Sequence, residues 1–145
     1  MKKTLALCLA FVLAASCVAY AAPRGEEMRV GVSIDAKNFD PQNSVDTYSF
    51  TMEKQIYEPL FTVDGKTKEL TPVLAEGYEQ LDDHTYKIFL RKGVKFHNGE
   101  EFTADDVVFS LTRVTDPKQS VFAKSKGMWI DPNGFEVIDK HTLIL

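Results

Sequence analysis

Beyond residue 21 this sequence contains no cysteine: Cys8 and Cys17 are its only two. Disulfides and thiolate metal sites are thereby excluded from the body of the chain, which must fold on a hydrophobic core. Long hydrophobic runs are also missing. The uncharged apolar stretch from Leu5 to Ala15 is too short for a membrane-spanning helix, which takes ~20 residues. There is no excess of positive charge. Seventeen Lys and Arg stand against 21 Asp and Glu, for a net −4; Lys2 and Lys3 precede the apolar stretch, which leaves −6 on residues 22–145. That mild acidity argues against nucleic acid or an anionic membrane surface as partner. Histidine is scarce. His84, His97 and His141 fall in turns, form no short-spaced pair and have no cysteine to complete a set, so no metal site is expected and solvation in turns explains them. No glycine-rich phosphate loop exists and no serine has a Gly-x-Ser-x-Gly setting. Asp105 and Asp106 are adjacent carboxylates, but interaction with a helix start accounts for both. Catalysis has no footing in these residues.

What is present begins with an export signal. Lys2 and Lys3, the short apolar stretch and the small-x-small Ala19-Tyr20-Ala21 make a cleavable signal peptide over residues 1–21. A second processing reading stays open. Ala14-Ala15-Ser16-Cys17 resembles a lipobox, with Cys17 as the lipidated residue, although Ala14 stands where leucine is usual. The mature protein is therefore expected in the periplasm or an equivalent extracytoplasmic space. The chain stops in the apolar run Leu143-Ile144-Leu145, where termini are usually polar, so it is expected to be part of a longer protein.

The alternation in Met28 to Ile34 predicts a strand, and Asp35 to Asp46 a polar loop. Met52, Ile56 and Leu60 recur every four residues, predicting a helix over Thr47 to Tyr57, capped by Asp46 or Thr47, with that stripe inward. Leu60 to Val63 reads as a short strand, followed by a turn at Asp64-Gly65. Tyr86, Ile88 and Leu90 share a strand face. Lys92-Gly93 breaks the chain, and Asn98-Gly99 signals a tight turn. Next comes a well-specified helix start, with Thr103 as N-cap, Asp106 at the capping-box position and Phe102 able to staple onto Val107. Val107, Val108, Leu111 and Val114 form its buried stripe, and Asp116-Pro117 ends it. Residues 118–129 are ambiguous. Pro132-Asn133-Gly134 predicts a turn, and Phe135 to Ile138 with Thr142 to Leu145 a hairpin. The similar strings Asp82-Asp83-His84-Thr85 and Asp139-Lys140-His141-Thr142 are read as one turn chemistry used twice.

Aromatic and soft apolar residues are the remaining candidates for binding. Tyr48, Phe50 and Met52 follow the polar loop, a position where ligands commonly meet α/β folds. Phe122 and Trp129, the one tryptophan, lie in the ambiguous segment. Each could instead pack in the core.

Several strings are familiar in combination. Phe39-Asp40-Pro41, Tyr57-Glu58-Pro59-Leu60, Leu74-Ala75-Glu76-Gly77-Tyr78, Thr85 to Glu100 and Phe102-Thr103-Ala104-Asp105-Asp106-Val107 occur in order. Together they resemble the family 5 extracellular solute-binding proteins, the dipeptide-, oligopeptide- and nickel-binding receptors of ABC importers. The resemblance implies an α/β, type II periplasmic-binding-protein-like fold with a mixed sheet, hairpins and helices, in which two lobes close on a ligand. This chain would supply part of the first lobe: an opening strand and helix in 22–60, then an extra subdomain in 61–145. It implies a non-catalytic receptor without cofactor, monomeric, with a peptide or other small solute as ligand and a membrane ABC permease as partner. The acidic residue that holds a peptide's amino terminus would lie beyond Leu145. The quoted motifs would be mainly structural, and only the regions around Tyr48, Phe50 and Met52 and near Phe122 would face the cleft. A receptor for nickel chelates, an exported hydrolase and a scaffold or chaperone on the same fold are the alternatives.

Overall fold

A computed structural model describes residues 29–145. The expected export signal, both cysteines and the two processing readings lie outside the described residues. Contacts divide the chain into two units, Met1–Ser33 and Ile34–Leu145. In the first, residues 29–33 form no helix or strand. The strand expected over Met28 to Ile34 is thus absent from its described part, and Val30, Val32 and Ile34 are exposed. Alternation supplies a face, but a strand also needs a ladder of hydrogen bonds to a neighbouring strand, which alternation alone does not provide.

The second unit opens with the polar loop and helix α1, Thr47–Glu53. Two short antiparallel strands follow, β1 (Phe61–Val63) and β2 (Leu70–Pro72). A four-stranded sheet contains β3 (Ala75–Gln80), β4 (Tyr86–Leu90), β5 (Glu136–Asp139) and β6 (Thr142–Ile144) in the order β3-β4-β6-β5, with antiparallel neighbours throughout. Helix α2, Ala104–Thr115, and a single 3-10 turn, Gly127–Trp129, come between β4 and β5 in the chain.

The core lies where the sheet meets the start of α2. Ile88 and Leu90 of β4, Leu143 of β6 and Ala75 of β3 are buried with Phe102, Ala104 and Val107. Burying a Leu or Ile side chain contributes about 1.5–3 kcal/mol, so this small cluster is the main apolar anchor. The expected face of β4 is the inward one, with Tyr86 packed at its edge. The expected α2 start forms as well: the Thr103 N–H donates to Asp106 Oδ2 at 2.8 Å, and the Thr103 hydroxyl does so at 3.0 Å. Phe102 and Val107 share the buried cluster, as the staple requires. Gly93 and Gly99 take positive φ values of 75° and 91°, which glycine adopts without a Cβ clash, and the bridge between Lys95 and Glu101 closes the turn between them.

Two strands had no clear sequence signal. Strand β2 contains Pro72 and is wholly exposed, so it shows no alternation. In β3 only Ala75 is buried, and the pairing with β4 shifts register between Ala75 and Gly77. That bulge breaks the period of two.

Candidate functional site

Helix α1 departs from the expected form. It ends at Glu53 and unwinds through turns to Tyr57, so Ile56 and Leu60 do not lie on it. Its buried residues are polar: Ser49 is 0% and Glu53 5% exposed. Both are held by the preceding loop. Ser49 Oγ accepts from the Lys37 N–H at 3.0 Å, and the Ser44 hydroxyl contacts Glu53 Oε1. Asp46 caps the helix, its Oδ1 accepting from the Ser49 N–H at 3.0 Å, and this bond lowers its carboxyl pKa.

The loop is anchored in turn to α2. Asp40 receives both terminal nitrogens of Arg113, Nη1 at 2.9 Å on Oδ1 and Nη2 on Oδ2. The Arg113 bonds, aided by those of Asn43 and Gln42, hold the Asp40 pKa down at about 2. Gln42 Nε2 donates to the Ser110 carbonyl at 2.7 Å, and Asn43 Nδ2 to the Gln119 carbonyl at 2.9 Å. The Val121 N–H donates to the Gln42 carbonyl at 3.2 Å. The Phe39-Asp40-Pro41 motif is therefore a structural joint. Sequence reasoning could not supply its partner, Arg113, which lies 73 positions downstream.

Tyr48, Phe50 and Met52 sit on α1, with Phe50 37% exposed and the other two half-buried. Phe122 follows the Ser120-Val121 segment that is bonded to Gln42 and Asn43, so the loop joins the stretches carrying Tyr48 and Phe122. The Lys126 ammonium lies 4.1 Å from the centre of the Phe122 ring, a cation–π contact. Trp129 stands 83% exposed on the 3-10 turn, whose Gly127 packs against the backbone of Val114 and Thr115.

A groove of about 660 Å³ runs between residues 54–60, the turn after Val94 and one face of α2. Ile56, Tyr57, Phe96, Phe102, Val107 and Leu111 give it an apolar lining, and none of the five residues singled out from the sequence lines it. Its walls come from residues distant in sequence, which no local pattern reveals.

The turns repeat as expected: Asp82 Oδ1 accepts from the His84 N–H at 2.8 Å, and Asp139 Oδ1 from the His141 N–H at 2.7 Å. Solvation does not describe His141, however. Its side chain is largely covered, with Nε2 3.4 Å from Glu101 Oε1, because the β5–β6 turn packs on the strand end before α2. Lys140 Nζ donates to Glu101 Oε2 at 3.0 Å and is the main reason the Glu101 pKa is lowered. Among the described residues, no group of three or more His, Cys, Asp or Glu could hold a metal ion, and no helix is long and apolar enough to cross a membrane.

Known proteins are similar to this chain in sequence and in fold. The chain is 36% identical over 132 residues to the glutathione-binding protein GsiB of Salmonella choleraesuis, covering 90% of this chain and 25% of that protein. The Escherichia coli murein tripeptide binding protein MppA superposes with a TM-score of 0.66 at 25% identity, over 78% of this chain and 25% of MppA. NikZ of Campylobacter jejuni, solved in complex with Ni(L-His), gives 0.65 at 26% identity, over 78% of this chain and 22% of NikZ. The chain thus spans about a quarter of the length of these relatives, and its fold is part of a type II periplasmic binding protein. Residues 69–145 match the bacterial extracellular solute-binding proteins, family 5 middle region, and the chain belongs to that family.

Proposed function

We propose that the protein is the substrate-binding component of an ABC importer, which captures peptides outside the cytoplasmic membrane and delivers them to a permease. Family membership is the observation that carries this reading. GsiB is named for binding glutathione and MppA for a murein tripeptide, so small peptides are the first ligand class. NikZ with Ni(L-His) supports a metal chelate as the second. These relatives are binding proteins, which supports a protein without catalysis of its own. In this reading residues 22–60 open the first lobe and 61–145 build its subdomain. Ligand touches both lobes only when they close, and so stabilises the closed form of a monomer. Tyr48, Phe50 and Met52, with Phe122 and Trp129, supply cleft surface from this part.

Two measurements test the proposal. Calorimetric titration of the full-length protein with reduced glutathione, a murein tripeptide and Ni(L-His) should show saturable binding of at least one; silence from all three would sink it. Mass spectrometry of the exported protein should find Ala22 as the first residue. A diacylglycerol on Cys17 would instead establish a lipoprotein, and an intact Met1 would refute export.

A further inference from the structure

We infer that Arg113 is a positioning residue for ligand binding: its paired grip on Asp40 sets the orientation of α1, and with it the presentation of Tyr48 and Phe50. The inference rests on the proposal that this helix borders the cleft.

It follows from how α1 is attached. Most short helices are seated by an apolar stripe, which is tolerant of direction because hydrophobic burial is non-directional. In helix α1, where Tyr48 and Met52 are half-buried, the fully buried residues are instead the polar Ser49 and Glu53. Hydrogen bonds hold both, and hydrogen bonds are directional. Each leads back to the loop: Ser49 to Lys37, and Glu53 to Ser44. Ser44 in turn donates its N–H to the Asp40 carbonyl at 2.9 Å. The loop's own attachment to α2 is charged at one place, Asp40 with Arg113, where two parallel bonds fix a plane as well as a distance. Gln42 with Ser110 and Asn43 with Gln119 hold the loop's other side. A chain of polar bonds therefore runs from α2 through Arg113, Asp40 and Ser44 to the helix.

Lysine at 113 keeps the charge but loses the planar fork. In the full-length protein, Arg113→Lys should weaken binding of the tightest of the three probes above by about 5-fold, a typical coupling for neighbours in one network. Amide exchange in residues 47–53 should speed up by roughly an order of magnitude while β4 and β6 keep their protection. The deciding measurement is a double-mutant cycle. In a Tyr48→Ala/Phe50→Ala background, Arg113→Lys should cost almost no further affinity, because the side chains it positions are gone. An equal loss in both backgrounds, with exchange raised throughout the protein, would overturn the inference and leave Arg113 merely structural. If the probe binds and the Tyr48→Ala/Phe50→Ala variant binds it normally, the cleft placement of α1 is wrong, and the inference falls with it. Asp40→Asn breaks the same link from the other side and serves if Arg113→Lys fails to fold.

Discussion

At Asp40 a single carboxylate carries more of the architecture than its place in an exposed-looking polar loop suggests. Its carboxyl binds Arg113, Asn43 and Gln42, and its carbonyl receives the N–H groups of Asn43 and Ser44. These bonds favour the ionised form, lowering the pKa from 3.8 to about 2. A carboxyl with a depressed folded-state pKa adds stability above its unfolded pKa and loses it as pH falls through the folded one. The pair is partly solvated, so screening reduces its contribution to on the order of 1–2 kcal/mol. Urea unfolding of the protein beside Asp40→Asn should show the full difference above pH ~5 and a shrinking one as pH approaches 2. A difference independent of pH would mean that packing, and not ionisation, holds the joint.

Elements differ in whether their attachment is written locally. Helix α2 is: its capping box, staple and stop are contiguous and form, and of its expected stripe Val107 is buried while Val108 and Leu111 pack partly buried against the core. The β5–β6 hairpin and the inward face of β4 were equally legible, because turn chemistry and a period of two act over a few residues. Helix α1 was only half legible. Asp46 marks its start, but the Met52-Ile56-Leu60 stripe pointed to an apolar seat where the structure has a polar one. The stripe misled because the helix stops after two turns. Strand β2 and the bulged β3 gave no pattern, since exposed strands have no need to alternate. The 3-10 turn was also unreadable, because its place is decided by a remote contact. A Cβ on Gly127 would lie 2.6 Å from the Val114 carbonyl oxygen and 3.0 Å from Thr115 Cα, both backbone atoms that cannot step aside. Gly127→Ala should therefore cost about 1–3 kcal/mol, as overpacking does. Gly77→Ala, with nothing within 4 Å, should stay within about 0.5 kcal/mol. Equal urea midpoints for the two variants would show that the turn is not seated by this contact.

For the whole molecule, the proposed receptor role leaves two surfaces competing to be the ligand-facing part of this chain. The groove is concave and apolar, as ligand sites are. Yet its walls include Phe102 and Val107, which belong to the core cluster, and Phe96 packs edge-on against Phe102 at 6.0 Å between ring centres. Its apolar character is continuous with the fold's own anchor. The helix α1 surface differs: Phe50 is 37% exposed on a helix whose buried residues are polar, so the fold gains little from it. The sequence could nominate Tyr48 and Phe50 because aromatics beside a polar loop stand out, but not the groove, which exists only once distant segments meet. The two surfaces predict opposite mutational signatures. Phe50→Ala should lower stability by less than about 1 kcal/mol, far below the 3–5 kcal/mol of a core phenylalanine. Its ligand affinity should fall by roughly 1–2 kcal/mol, since a rigid aromatic grips apolar ligand surface with little entropy to lose. Phe102→Ala, which truncates a groove-lining side chain only 6% exposed in the core, should do the reverse, lowering the melting temperature by several degrees while the protein that remains folded binds normally. Titration calorimetry and thermal melts of both variants in the full-length protein decide the matter. Normal binding by Phe50→Ala together with weakened binding by Phe102→Ala would move the ligand to the groove and leave α1 as scaffold.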